Sequence, residues 1–248
     1  MKELEGKVAL ITGAAQNIGS AIAFDLAAAG AAIAVNTRES REKAERVAER
    51  IREAQGQADV FLADVADAAA VKAMVEGVLR RFGRIDILVL NASVRREVPF
   101  VDMTFEAWRE IMAISLDGSF HCIKACLPSM MENGSGNIVT LGGDGALSGL
   151  AGKVHGSAAK NGLAGMTRAL ALEMAQYGIR VNCVSPGSIA TTRAAHRPPR
   201  KGAEGRIPLG RHGQPEEIAA TVRFLCGPGA TFITGQTVHV NGGEKMFF

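Results

Sequence analysis

Short β-branched runs alternate with longer helical patterns from one end of the chain to the other, and this alternation constrains the fold more than any other feature. The pattern predicts strands near Lys7–Thr12, Ala31–Asn36, Asp59–Ala63, Ile85–Leu90, Asn137–Leu141, Arg180–Val184 and Thr237–Val240. They are rich in Val, Ile and Leu on both faces, as parallel strands covered from both sides require. Helices are expected over Ile18–Ala29, Ser40–Gln55, Ala68–Phe82, Phe105–Met131, His155–Gln176 and Pro215–Leu225. Successive βαβ units with short connections specify an α/β protein: a single-domain Rossmann-type doubly wound parallel sheet of about seven strands, with helices on both faces. No linker, repeat or low-complexity tract divides residues 1–248, so one domain is expected. The exception to the pattern is Ser188–His212, rich in Pro, Gly, Arg and His and without helical period. Loops of this length in compact domains tend to be lids or connections, and here a substrate lid is expected.

Composition narrows the function. Lys and Arg number 28 against 25 Asp and Glu, a net charge of +3, which argues against bulk binding to nucleic acid or a membrane surface. No apolar run reaches the roughly 18–20 residues that span a bilayer, and the first residues lack a signal-peptide pattern. A cytoplasmic protein is expected. Cys122, Cys126, Cys183 and Cys226 form no C-x-x-C pair and have no His at zinc-ligand spacing, so neither a disulfide scaffold nor a metal site is expected. Cys122 and Cys126, four apart on one helix face, read as buried packing.

The chemistry starts where the first strand runs into a helix through Thr12-Gly13-Ala14-Ala15-Gln16-Asn17-Ile18-Gly19. Glycines in such a turn let the backbone approach a pyrophosphate lying on the helix N-terminus. Asn17 occupies the middle of the turn; Asn tolerates left-handed backbone better than other residues with a side chain. The second strand ends in Val35-Asn36-Thr37-Arg38. An acidic residue there would bind the adenosine ribose of NAD, whereas Arg38 suits a 2′-phosphate, so NADP(H) is expected in preference to NAD(H).

Further segments follow in order: Asp64-Val65 after the third strand, Asn91-Ala92 after the fourth, Lys160 in a helix, Pro186-Gly187 after the sixth strand, and Asn241-Gly242-Gly243 near the end. With Thr12–Gly19 they make the chain resemble, over its whole length, the short-chain dehydrogenase/reductase family, and its 3-oxoacyl-carrier-protein-reductase-like members in particular. The resemblance implies that Thr12, Gly13, Asn17, Ile18 and Gly19 form the pyrophosphate turn and that Asp64 and Val65 contact adenine. It implies that Asn91 and Ala92 border the cofactor, that Ile189 and Thr191 follow Pro186 and Gly187 beside the nicotinamide, and that Lys160 binds its ribose.

The same resemblance exposes departures. Redox members of the family use Tyr-x-x-x-Lys on one helix, a Ser about thirteen residues before the Tyr, and an Asn on the preceding long helix. Here Lys160 is present, but Gly156, Gly143 and Ser115 stand where Tyr, Ser and Asn are expected. The one tyrosine, Tyr177, lies 17 residues beyond Lys160, about 25 Å along a helix. His155, Lys160 and Ser115 are the remaining catalytic candidates. His155 titrates near neutrality, and Asp144 could orient it beside Ser148.

Three readings stay open: an oxidoreductase with an altered proton donor, a non-redox enzyme (hydrolase, dehydratase or decarboxylase) using His155 and Lys160, and a cofactor-binding pseudoenzyme. Arg95 and Arg96 near the cleft, with Arg193, Arg197, Arg200, Lys201, Arg206 and Arg211 in the lid, suit an anionic or acyl-carrier-linked small-molecule substrate. Small residues on the two long helices, together with the resemblance, imply a homotetramer.

Overall fold

The computed structural model describes residues 2–192 and 204–246. Seven strands form one parallel sheet in the order β3-β2-β1-β4-β5-β6-β7. They are β1 (Val8–Ile11), β2 (Ala32–Thr37), β3 (Ala58–Leu62), β4 (Ile87–Leu90), β5 (Gly136–Leu141), β6 (Ile179–Pro186) and β7 (Thr237–Val240). The expected seven-stranded α/β sheet is therefore present, with strand ends moved by only a residue or two.

Strand side chains alternate between two cores. Ile11, Ile33, Val35 and Val89 join α1 (Asn17–Ala28) and α8 (Pro215–Cys226) on one face. Leu10, Ala34, Leu88 and Ile138 join α3 (Ala68–Phe82) and α5 (Gly118–Glu132) on the other. Period-two alternation within an all-apolar strand thus feeds both layers at once. Cys122 and Cys126 are fully buried in the second core, and burial pushes the Cys122 thiol up to about 12. They are packing groups, as expected.

Helix ends follow local chemistry. The Asp67 side chain accepts from the Ala69 and Ala70 amides at 2.8 and 3.1 Å to start α3, and Gly83 closes it in left-handed conformation. Pro215 at the first turn of α8 and the Gln214–Glu217 capping box do the same there.

Two elements depart from expectation. The helix read over Phe105–Met131 is α4 (Phe105–Met112) and α5 joined by a π-helical turn, Ala113–Asp117. Apolar periodicity does not reveal one widened turn. Just beyond it, α5 crosses the loop after β3 so closely that a Cβ on Gly118 would lie 2.8 Å from Val65 Cγ2. The second departure is a one-turn helix, α6 (Asp144–Leu147), ahead of the 21-residue α7 (Val154–Met174). The remaining helix is α2 (Arg41–Glu53).

Candidate active site

The strand order reverses between β1 and β4, and in such sheets the crevice at the C-terminal strand ends is where ligands bind. Thr12 and Asn91 join the two sides. The Thr12 hydroxyl donates to the Val89 carbonyl and accepts the Asn91 and Ala92 amides, both at 3.0 Å. The Asn91 side-chain amide donates to the carbonyls of Thr12 and Gly13, at 3.1 and 2.9 Å. These two residues brace the turn from beneath.

The turn itself has the shape a pyrophosphate needs. Gly13 takes φ 63° and Asn17 φ 53°, both left-handed. A Cβ on Gly19 would come within 2.4 Å of the Gly13 carbonyl oxygen and 2.6 Å of Asn91 Nδ2. Gln16 makes no side-chain cap, and the first turn of α1 carries no acidic residue. Backbone N–H groups and the positive end of α1 are left to face an anion. Ile18 is buried behind them. Sequence reasoning missed the partner of Asn17: its Oδ1 accepts from the Thr192 amide and hydroxyl at 2.9 and 2.7 Å, tying the loop after β6 to the turn.

Asn36, at the end of β2, is a second unforeseen brace. It is buried, donates to the Phe61 and Ala63 carbonyls at 3.2 Å, and accepts from Gly13 N. Arg38 is half exposed; its guanidinium pairs with Glu39 at 2.8 Å and lies 3.9 Å from Asp64. Asp64 also accepts from the Ala66 amide, and Val65 is buried beside Gly118.

From this crevice a cleft of about 560 Å³ opens over the ends of β4, β5 and β6, and Ser115, Gly143, His155, Gly156 and Lys160 all line it. Lys160 reaches the Leu141 carbonyl, 2.5 Å from Nζ. Burial pulls its ammonium down to about 8, with Cys183 opposing and the Arg95 charge adding to the pull. Ser115 is buried within the π-helical turn. Gly143 and Gly156 would each place a Cβ in open space, with no atom within 4 Å, and neither has the left-handed φ that demands glycine.

His155 lies in the first turn of α7 and is buried. Burial lowers its pKa, the Lys153 backbone opposes, and the Arg96 charge lowers it further. Its Nδ1 lies 2.8 Å from the Gly156 amide nitrogen. Its Nε2 is buried and has no hydrogen-bond partner among the described residues.

The expected association of Asp144 with His155 does not occur. Asp144 is buried and accepts from Ser185 Oγ and His239 Nδ1, both at 2.6 Å, and from Asn241 Nδ2. Ser148 is exposed. The reason is topological: β7 brings His239 and Asn241 beside the β5 end, a contact across about a hundred residues that spacing does not disclose. Behind this cluster Glu244 accepts from the Ser188 amide and hydroxyl at 2.9 and 3.0 Å. A Cβ on Gly187, next to Pro186, would meet Asn241 Cβ at 2.6 Å. Ile189 bridges to Gly213, and Thr191 follows in the same loop. Tyr177 ends a 3₁₀ turn beyond α7 and packs on the second core, remote from the cleft. Of the basic lid, Arg193, Arg197, Arg200 and Lys201 lie outside the described residues. Arg206 lines the cleft, whereas Arg211 pairs with Glu217 at 2.7 Å.

Comparison with known proteins agrees with this architecture. The family model described as Enoyl-(Acyl carrier protein) reductase matches residues 13–245. The 3-oxoacyl-[acyl-carrier-protein] reductase of Synechocystis sp. is 40% identical over 248 residues, covering 100% of both chains. The enzyme of that name from Staphylococcus aureus (strain Mu50) is 41% identical over 242 residues, 97% of this chain and 98% of the other. The Escherichia coli (strain K12) one is 40% identical over 244 residues, 98% of each. Among solved structures, a dehydrogenase/reductase from Sinorhizobium meliloti superposes with a TM-score of 0.92 at 33% identity, covering 98% of this chain and 97% of that one. A putative short-chain alcohol dehydrogenase from the same organism gives 0.93 at 34%, with the same coverage. Full-length matches at this identity, on a sheet whose switch point carries the glycine turn, place the chain in the short-chain dehydrogenase/reductase family of oxidoreductases.

Proposed function

We propose that this protein is an NADP(H)-dependent oxidoreductase that interconverts a carbonyl and an alcohol, with Gly156, Gly143 and Ser115 at the positions where the family holds Tyr, Ser and Asn. The observation that carries the reading is the pairing of a left-handed glycine turn with a half-buried lysine on the wall of the adjoining cleft. The turn fits the cofactor because the cradle at Gly19 exists only without a side chain. Gly13, Asn17 and the α1 N-terminus would hold the pyrophosphate, Asp64 and Val65 the adenine, and Ile189 and Thr191 the nicotinamide side. Bound there, the nicotinamide supplies a hydride to carbon.

The chain's own part is the proton. Lys160 is an ammonium at neutral pH, and one of its three N–H groups is fixed on Leu141. The others point the reading to the carbonyl oxygen: as carbon gains the hydride, the C=O π bond breaks and oxygen takes a proton from Nζ. Ser115 lines the same cleft and would supply a hydroxyl beside the Lys160 ammonium as a second donor toward substrate. A hydrolytic use of His155 is disfavoured, because its Nε2 is buried and Asp144 is engaged elsewhere. The relatives named for 3-oxoacyl carriers suggest a 3-oxo compound, and Arg95, Arg96 and Arg206 at the cleft favour an anionic one. Exposed Phe105, Phe120 and Leu172 on α4, α5 and α7 support self-association, which we read as a homotetramer. One domain over residues 1–248 and a cytoplasmic location complete the reading, and of the expected lid over 188–212 residues 193–203 lie outside the described residues. No helix among the described residues is long and apolar enough to cross a membrane.

Calorimetric titration tests the cofactor. NADPH should bind at least tenfold tighter than NADH, the range expected when a guanidinium gains charge-assisted hydrogen bonds worth about 1.5–3 kcal/mol. Arg38→Ala should erase that difference. Gly19→Ala should abolish binding of both, since its methyl cannot be accommodated without moving Gly13. Turnover of NADPH with 3-oxo compounds should be flat below pH 8 and decline above it, as Lys160 loses the proton it donates. Failure of NADPH to bind would overturn the reading; binding without turnover on any carbonyl would leave a cofactor-binding pseudoenzyme.

A further inference from the structure

Three features of the cleft meet at the start of α7. Lys160 is a half-buried ammonium on the cleft wall, and its hydrogen bond among the described residues goes to the neutral Leu141 carbonyl rather than to a carboxylate. Charges drawn partly out of water are normally paired in folded proteins, because desolvation is costly. On either side of Gly156, the cleft-lining residues His155 and Ser157 each keep a buried polar atom, Nε2 and Oγ, without a hydrogen-bond partner. Orphaned buried polar atoms are rare in folded proteins and call for an explanation. Between them and Lys160 lies the open space at Gly156, one helical turn from Lys160 on the same face, and at Gly143, two residues past Leu141. The first turn of α7 carries no acidic residue, so the helix dipole at this point is positive and uncompensated.

We infer that the cleft takes a free oxo acid, with the carboxylate seated in the space at Gly143 and Gly156 against Lys160 and the first turn of α7, and the carbonyl on the same ammonium. The inference deepens the oxidoreductase reading above and rests on it for the fate of the carbonyl. An ammonium has three donors in a compact tripod. Leu141 takes one, and the remaining two can serve a carboxylate oxygen and a carbonyl oxygen of one molecule only when the two groups are separated by one or two bonds of chain. A 2-oxo or 3-oxo acid has that bite; a 4-oxo acid does not. A tyrosine at residue 156 would fill the seat, so its absence admits an acid group where a neutral carbonyl compound would otherwise be enclosed.

The test uses the whole protein, with and without NADP⁺, titrated with acetoacetate, methyl acetoacetate and 4-oxopentanoate. Acetoacetate should bind at least tenfold tighter than either of the others. Gly156→Phe fills the seat without adding a hydroxyl and should abolish that preference, and Lys160→Met should abolish it too. Circular dichroism of both variants checks that the fold persists. Equal binding of acid and ester, or an acid preference that survives in folded Gly156→Phe, would overturn the inference. Failure of NADP⁺ to bind would strike the redox reading alone, because the comparison of acid with ester is also made on the protein without cofactor.

Discussion

Gly143→Ser and Gly156→Tyr together should raise NADPH-dependent reduction of neutral 3-oxo esters by about 10²–10⁴-fold, the usual worth of a positioned proton donor. The structure makes this an inexpensive change. Both positions face open space, and neither has a backbone conformation that needs glycine. Gly156 lies in the first turn of α7, where glycine has no helix-propensity advantage over an ordinary residue. A phenol at 156 would stand one turn from the Lys160 ammonium, whose charge favours the phenolate and so lowers the phenol's pKa from its free value of about 10. A hydroxyl at 143 would sit beside the amide that donates to Ser185 Oγ at 3.1 Å. Gly143→Ser/Gly156→Phe is the control: it fills the cleft equally and carries no acid. A gain in the Tyr variant alone, measured as kcat/KM, would show that a phenol beside Lys160 is what limits reduction of neutral carbonyls. No gain over the Phe control would mean that the cleft no longer aligns a carbonyl with the cofactor. The same Tyr should erase any preference for free acids, because it occupies their seat.

The largest effect on stability should come from Asp144→Ala. Asp144 is buried and receives donors from three segments: Ser185 on β6, and His239 and Asn241 at the end of β7. Removing the acceptor strands the fully buried Ser185 hydroxyl, whereas His239 and Asn241 are only half buried and Asn241 keeps the Lys245 carbonyl. Leaving a buried donor unpaired typically costs about 1–3 kcal/mol. For a chain of this size each kcal/mol lowers the melting temperature by roughly 2–4 °C, so a fall of roughly 2–12 °C is expected. Asp144→Asn keeps an acceptor oxygen and should cost distinctly less. Ser185→Ala made in the Asp144→Ala background should add little, since groups in one hydrogen-bond network are not additive. A melting temperature within 2 °C of the parent for Asp144→Ala would show that the cluster does not bear on stability. Because Asn241 and Glu244 belong to the same tail, which reaches Ser188 over the cleft, the variant should also weaken NADPH binding.

Much of the scaffold was legible along the chain because its signals are local. Alternating apolar runs announced the parallel sheet, and a strand running into Thr12–Gly19 announced the dinucleotide turn. Asn17 in left-handed backbone follows from the small set of residues that tolerate it. Each of these depends on neighbours within a few residues, through backbone sterics or helix period. What escaped was non-local or subtle. Asn36 and Thr192 act through contacts with Gly13 and Asn17 across separate βα units, and the π-helical turn at Ser115 leaves the apolar pattern of its helix intact.

The sequence by itself determined the class of fold and the glycine turn where the strand order reverses, because strand period and turn chemistry are written locally. Only the tertiary structure decided how the remaining groups are used. Asp144 reads as a partner for His155, eleven residues away, yet it turns to Ser185, His239 and Asn241 because the β5-β6-β7 order brings them to its side. His155 reads as a base oriented by Asp144, yet burial lowers its pKa and its Nε2 lies buried without a partner. Lys160 reads as an ordinary ammonium, yet burial without a carboxylate partner draws it down to about 8. Desolvation and long-range pairing set these properties, and both depend on which segments the fold packs together.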